Sequence, residues 1–459
     1  MKDKISRSLF FMTALLVALI PLMFNTPEKP LFGLSFAAKL QIFDIFFILL
    51  FFVWVVKLLK KDEKFRFFKY FWILIFYLVS CALSFLNSAD INKSLVEFTA
   101  LSYGVFIFVV LLNVLKDKRS IEKLVLIWLI TSAVISALGL LGFILATFFN
   151  IKTFLVKEYM NFPYIGHIYR VYSTFLINAK FLSSYLTIAI PFAVTFLVIR
   201  DKMERRWLKI ALAFPFLLVL FLTFSRGWLG ISIALYLLLR NLQPSRYINA
   251  IKIFLLGFIV VFGVGILLVS RWEVADIKIN KTSYINENFA DNGRSYPSNS
   301  GEIKGFDIHF DYLDTAYSLL KKASIRMWLE KPFFGIGVGM YNDEIVKLEK
   351  ENSLPKGFRA FDPHSTFLGQ LAQAGLAGFI ALCLIWFFMF KKIMDCSKIA
   401  KEADEKLMLN TFFAVGIGFL VQSLDMDIMN FRFVWFFFAL AFSYSIAIVN
   451  KYQGGQCAR

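Results

Sequence analysis

The chain has 459 residues; 59% are hydrophobic, 56 are Phe, and the net charge is +18. Apolar runs of about 17–25 residues recur along it, long enough to cross a bilayer as helices, and this excludes a water-soluble globular protein. The basic residues gather in short polar segments between those runs, as cytoplasmic loops do in a multispan protein, so the charge does not call for a nucleic-acid partner.

The apolar runs lie near 8–24, 40–58, 68–86, 95–115, 122–148, 172–199, 207–224, 228–241, 250–270, 365–390, 407–423 and 431–449. They predict an all-α polytopic membrane protein with about twelve transmembrane helices. The first run follows Lys2, Lys4 and Arg7 and has no Ala-x-Ala cleavage site after it, so it is expected to be a retained span. With the N-terminus inside, the loops KKDEKFR, KDKRSIEK, RDKMERRW, RNLQPSRY and KKIMDCSKIAKEADEK all fall on the cytoplasmic side. Both termini are then expected to be cytoplasmic.

Three parts follow from this reading. Residues 1–270 hold the first nine spans, 271–363 form one large loop on the outer (periplasmic) face, and 364–459 hold the last three spans and a cytoplasmic tail. The loop begins polar and turn-rich over 271–310. It continues with apolar residues at Tyr312, Ala316, Leu319, Leu320, Ala323 and Met327, the spacing of an amphipathic helix that Pro332 would end. The four cysteines, Cys81, Cys383, Cys396 and Cys457, are scattered and suggest neither a disulfide framework nor a metal cluster.

Ionisable groups beside apolar spans are costly and therefore candidates for function. Arg170, Arg226, Arg326 and His364 come from distant parts of the chain, yet the topology puts all four on the outer face. Guanidinium groups bind phosphate oxygens as a fork, so three arginines suggest a diphosphate. A neutral histidine beside them is suited to taking a proton from an attacking hydroxyl. Gly335, Gly337 and Gly339 follow a helix and a proline rather than a strand, which argues against a nucleotide loop. Asp425 and Asp427 either hold a metal or pair with Arg432. Asp44, Glu97 and Lys180 lie within predicted spans, as a proton relay of a transporter or as buried ion pairs. Gly375-x-x-Gly378 reads as a helix-packing motif.

Taken in order, these residues resemble the O-antigen ligase and polymerase superfamily over about residues 165–390. His364-Ser365, nine residues and Gly375-x-x-Gly378 resemble the ligase pattern; Ser225-Arg226-Gly227 resembles its Ser-Arg turn. Arg326 with Trp328, Pro332, Gly335 and Gly337 resembles the end of its large periplasmic loop, and Arg170 before Ser173-Thr174-Phe175 the opening of its middle span. The resemblance implies a glycosyltransferase of the bacterial inner membrane with its active site on the periplasmic face. Its donor would be a glycan on undecaprenyl diphosphate and its acceptor a sugar hydroxyl of lipid A-core. It implies an inverting reaction with no metal or other cofactor, His364 as general base, and Arg170, Arg226 and Arg326 on the diphosphate. Extension of a carrier-linked glycan, as in a polymerase, is the alternative within the family. A transporter or flippase of lipid-linked sugars, using Asp44, Glu97 and Lys180 as a midplane relay, is the alternative from another class.

Overall fold

The computed structural model describes residues 2–22, 41–60, 65–66, 68, 70–162, 166–172, 179–199, 215–225, 227–240, 242, 246–269, 316–351, 353–354 and 362–453. Helices α1 (Lys2–Leu19), α2 (Ile42–Leu59), α3 (Phe71–Leu83), α4 (Ile91–Val114) and α5 (Lys118–Phe149) come first. An antiparallel hairpin of β1 (Val156–Phe162) and β2 (Gly166–Val171) follows, with an irregularity between Glu158 and Met160. The rest is helical: α6 (Ala179–Ile199), α7 (215–222), α8 (Gly227–Arg240), α9 (Arg246–Val269), α10 (Ala316–Glu330), α11 (Tyr341–Lys350), α12 (Thr366–Ile399), α13 (Ala403–Gln422) and α14 (Arg432–Gln453).

Helix occupies part of each of the twelve apolar runs. Among the described residues, six helices (α2, α4, α5, α6, α12 and α14) are long and apolar enough to cross a membrane, and four shorter apolar helices accompany them. The polar stretch 271–310 lies outside the described residues. The expected amphipathic helix is α10, which buries Leu320, Ala323 and Met327 and stops before Pro332. The hairpin and α11 were not expected from the sequence.

Helix α14 is the axis of the bundle, with 83% of its span window buried. Nearly every side chain from Phe433 to Ser445 is enclosed, most of them aromatic or small. Gly104 of α4 leaves room for the Trp435 ring, whose Nε1 is 2.2 Å from where a Cβ would stand. That indole donates to the Met429 carbonyl at 2.7 Å, so the largest side chain of the axis is both packed and hydrogen-bonded.

Ion pairs close both ends. At one end Arg432 forks onto Asp44, Nε to Oδ1 and Nη2 to Oδ2 at 2.6 Å each. Asp44 also accepts from the Tyr103 hydroxyl at 2.8 Å and the Gln41 backbone N–H at 2.8 Å. At the other end the enclosed Glu405 accepts from Lys118 at 2.7 Å, Lys451 at 2.8 Å and the Tyr452 hydroxyl at 2.8 Å. Carboxylates removed from water need this number of donors.

Helix α12 is interrupted. Gly375 sits at φ 65°, ψ −164°, a conformation that essentially only glycine adopts. The backbone groups freed by the break are taken by the segment after Pro332. Ile336 and Gly337 donate N–H groups to the carbonyls of Ala372 and Gln373, at 3.0 Å each. Leu376 and Ala377 donate to the carbonyls of Pro332 and Phe333, at 2.9 and 3.3 Å. Gly339 adds a bond to Gln373 Oε1 at 2.7 Å. A Cβ on Gly375 would meet the Phe333 backbone at 2.4 Å, and one on Gly335 the Gln373 backbone at 2.4 Å. Gly375 therefore differs from the sequence expectation: it breaks a helix to admit another backbone, instead of letting two intact helices approach. Gly378 packs within α12, against Ala374 and Gln370.

Two outcomes test this account. Gly375→Ala should collapse the yield of monodisperse protein in detergent, whereas Gly257→Ala, whose Cβ would meet nothing within 4 Å, should not. Asp44→Leu should cost about 3–5 kcal/mol by stranding Arg432, and adding Arg432→Met should recover much of that loss. Equal and additive losses on thermal unfolding would show that the pair is not coupled.

Candidate active site

The end of the bundle that holds Asp44 and Arg432 also holds His364. His364 lies two residues before α12, in the left-handed region at φ 47°, rare for a residue with a Cβ. Asp362 lies against that backbone: its Oδ1 accepts from the His364 backbone N–H at 3.0 Å and stands 3.0 Å from Nδ1. A neutral ring with its proton on Nδ1, the nitrogen beside Asp362, presents the lone pair of Nε2. Ser365 caps the helix, and the Thr366 N–H donates to the Ser423 carbonyl at 2.8 Å. Thr366 Oγ1 donates to the Met426 carbonyl and accepts from the Ile428 N–H, at 2.9 and 3.0 Å. The start of α12 is fastened to the 423–431 loop between α13 and α14.

The first turn of α6 rests on the same loop. Phe181 packs on Phe431 with ring centroids 4.3 Å apart, and Ser184 donates to Met426 Sδ at 3.1 Å. Ser183 shares a hydrogen bond with Ser225 at 2.9 Å, which joins α6 to the turn before α8. Gln422 bridges Thr187 of α6, at 2.5 Å, and the Gly227 carbonyl, at 3.5 Å. Lys180 opens α6 and is carried toward His364.

Burial lowers the His364 pKa to about 4, and the charges of Lys180 and Lys321 push the same way. The carboxylates of Asp362 and Asp425 oppose them. His364 is therefore neutral at physiological pH and able to accept a proton.

The predicted residues are not all brought together. Arg226 lies outside the described residues; its neighbours Ser225 and Gly227 pack against α6 and α13 as above. Arg170 stands on β2 with its guanidinium 5.0 Å from the Tyr172 ring, and Lys157 flanks that ring at 5.3 Å. Arg326 is on the exposed face of α10, paired with Glu330 and Glu351 at 3.3 Å each. The cation of α10 whose charge reaches His364 is Lys321, five residues earlier. Lys321 was missed in the sequence, where Lys321-Lys322 looks like the solvated face of an amphipathic helix.

Asp425 and Asp427 part company. Asp425 acts on His364, while Asp427 accepts from the Met429 N–H at 3.1 Å. Burial raises the Asp427 pKa to about 7, helped by the charges of Asp362 and Glu97. Arg432, which either aspartate was expected to pair with, forks onto Asp44. The three relay candidates have separate partners at this end: Asp44 binds Arg432, Glu97 accepts from Asn430 at 3.0 Å, and the charge of Lys180 acts on His364. Each sits in the first two turns of its helix.

Residues 210–383 match the family model for O-antigen ligase. The match supports the O-antigen ligase superfamily and, with the membrane-length helices, a multi-pass membrane protein. No curated protein matches the chain. The matched O-antigen ligase region takes in α8 to α10, the His364 segment and the break at Gly375. Arg170, Lys180 and Asp425 fall outside it.

The raised Asp427 pKa has a measurable consequence. Its unfolded value is near the ordinary ~3.9, so the folded chain holds a proton that the unfolded chain has lost between about pH 4 and 7. Stability contributed at this site therefore falls as pH rises through that window. Asp427→Asn should unfold at a higher temperature than the parent chain at pH 8, with the gap closing toward pH 4. A gap independent of pH would mean that Asp427 titrates normally.

Proposed function

We propose that the protein is an O-antigen ligase-type glycosyltransferase that moves a glycan from a polyprenyl diphosphate carrier to a sugar hydroxyl. The supporting observation is His364: an enclosed imidazole whose Nδ1 is 3.0 Å from the Asp362 carboxylate and whose pKa burial lowers, at the end of a bundle of membrane-length helices. In this reading the acceptor hydroxyl gives its proton to Nε2 as its oxygen bonds to the anomeric carbon. The bond from that carbon to the phosphate oxygen breaks on the opposite face, and the electron pair leaves with the diphosphate, inverting the anomeric centre. Arg170 and Arg226 supply positive charge for the leaving group. Arg326 joins them by exchanging Glu330 and Glu351 for phosphate oxygens, a small cost for a surface pair. Anchoring both substrates at one membrane level supplies orientation.

In bacteria that carry lipopolysaccharide, the acceptor on this reading is lipid A-core on the periplasmic face of the inner membrane. The test is purified protein in detergent with EDTA, carrier-linked glycan and lipid A-core. A gel shift of the lipid A-core is expected, falling by about 10²–10⁴-fold in rate for His364→Ala. A ladder of longer carrier-linked glycans in its place would make the protein a polymerase, and undiminished transfer by His364→Ala would remove the general base.

A further inference from the structure

Lys180 stands apart from the arginines expected to bind the donor. It is the second residue of α6, and its ammonium nitrogen is buried. A lysine that merely anchors a helix at the membrane surface extends its charge to water. The first turn of α6 instead turns this one inward, through Phe181 on Phe431, Ser184 on Met426 and Ser183 on Ser225. The 423–431 loop beneath it is the one to which Thr366 fastens the His364 segment. Ser225, at the other contact, is the neighbour of Arg226. Lys180 is thus on the turn of α6 that contacts both Ser225 and the loop holding the His364 segment.

We infer that Lys180 is a diphosphate ligand of this site and that it couples donor binding to His364. The inference rests on the transfer reading above. Among the described residues, Asp362 from its own segment, Asp425 from the 423–431 loop, Lys180 from α6 and Lys321 from α10 act on the imidazole. Without donor, burial and, after it, the charges of the two lysines hold the ring unprotonated and make it a weak base. A diphosphate bound to Lys180 offsets its charge and adds negative charge beside the ring, so His364 becomes a stronger base once the donor is in place. Deprotonation of the acceptor is thereby tied to the presence of a leaving group, which protects the site from unproductive proton transfer.

The chain has three histidines, so ring-labelled histidine NMR on the detergent-solubilised protein can follow each, with His364→Ala assigning the signal. Farnesyl diphosphate is the probe, with inorganic pyrophosphate and farnesyl monophosphate as comparisons. In the parent chain farnesyl diphosphate should raise the His364 midpoint by about one pH unit or more. Pyrophosphate should compete with it, showing that the diphosphate and not the prenyl chain is recognised, and the monophosphate should bind more weakly. Lys180→Met should bind the diphosphate about 10- to 100-fold more weakly, the loss of one charge-assisted hydrogen bond. Its His364 should already titrate higher without ligand, and Lys180→Arg should restore affinity. Parent-like affinity in Lys180→Met, or a His364 midpoint that diphosphate leaves unmoved, would overturn the inference. If Lys180→Met does not fold, Lys180→Gln and Lys180→Arg carry the same comparison. These measurements need no turnover, so they stand or fall separately from the transfer assay.

Discussion

A helix that crosses a membrane satisfies its own backbone, and opening one inside a bundle strands donors and acceptors where water cannot reach. α12 is opened at Gly375, and the segment from Pro332 to Gly339 fills the gap hydrogen bond for hydrogen bond. The same segment is held from below, since Asn87 donates to the Gly335 carbonyl at 2.8 Å and Val338 is bonded on both sides, to Ser84 and Ser94. Three consecutive odd-numbered glycines, all at positive φ, are what let that backbone lie so close. α10 leads into this plug and α12 resumes from it, so Lys321 and His364 are carried by parts that cannot shift independently. The precision of the site is set some ten residues from the histidine.

The electrostatics of that end follow from how its charges are distributed. Asp44 and Arg432 satisfy one another in a fork, Glu97 has its amide partner, and Arg326 has two carboxylates. These charges hold elements together. Lys180, Lys321, Asp362 and Asp425 converge on an imidazole that is itself mostly enclosed. In a low dielectric such a group is sensitive to any change in the charge beside it, and a multiply charged substrate is the largest change available.

The apolar runs were legible because a span of about 20 residues is a strong compositional signal, and helix was found in every run. His364 was legible because a histidine is rare in so apolar a chain. The β-hairpin of VKEYMNF and GHIYRV was not, because short strands beside long apolar runs are lost against the helical background. α11 was hidden for a similar reason: its polar face dominates ten residues. Gly375 and Gly378 were visible as a pair, but spacing alone does not separate a smooth packing face from a broken helix. That distinction needs φ and the identity of the backbone that fills the gap. Partners failed most often: Arg432 was assigned to its neighbours Asp425 and Asp427, and binds Asp44 some 388 positions away.

The pattern of those failures bears on how such a site is built. The shared outer face suggested arginines as the cations around His364, since arginine is the usual phosphate fork. Among the described residues, the cations whose charges act on the imidazole are Lys180 and Lys321, while Arg170 stands on Tyr172, Arg432 on Asp44 and Arg326 against Glu330 and Glu351. A guanidinium remains charged and planar whatever surrounds it, which suits a clamp. An ammonium is a compact charge on a flexible stem, and its field at a neighbour alters when an anion approaches. On the transfer reading proposed above, this is a division of labour, with arginines clamping the diphosphate and Lys180 both touching it and relaying its charge to the base.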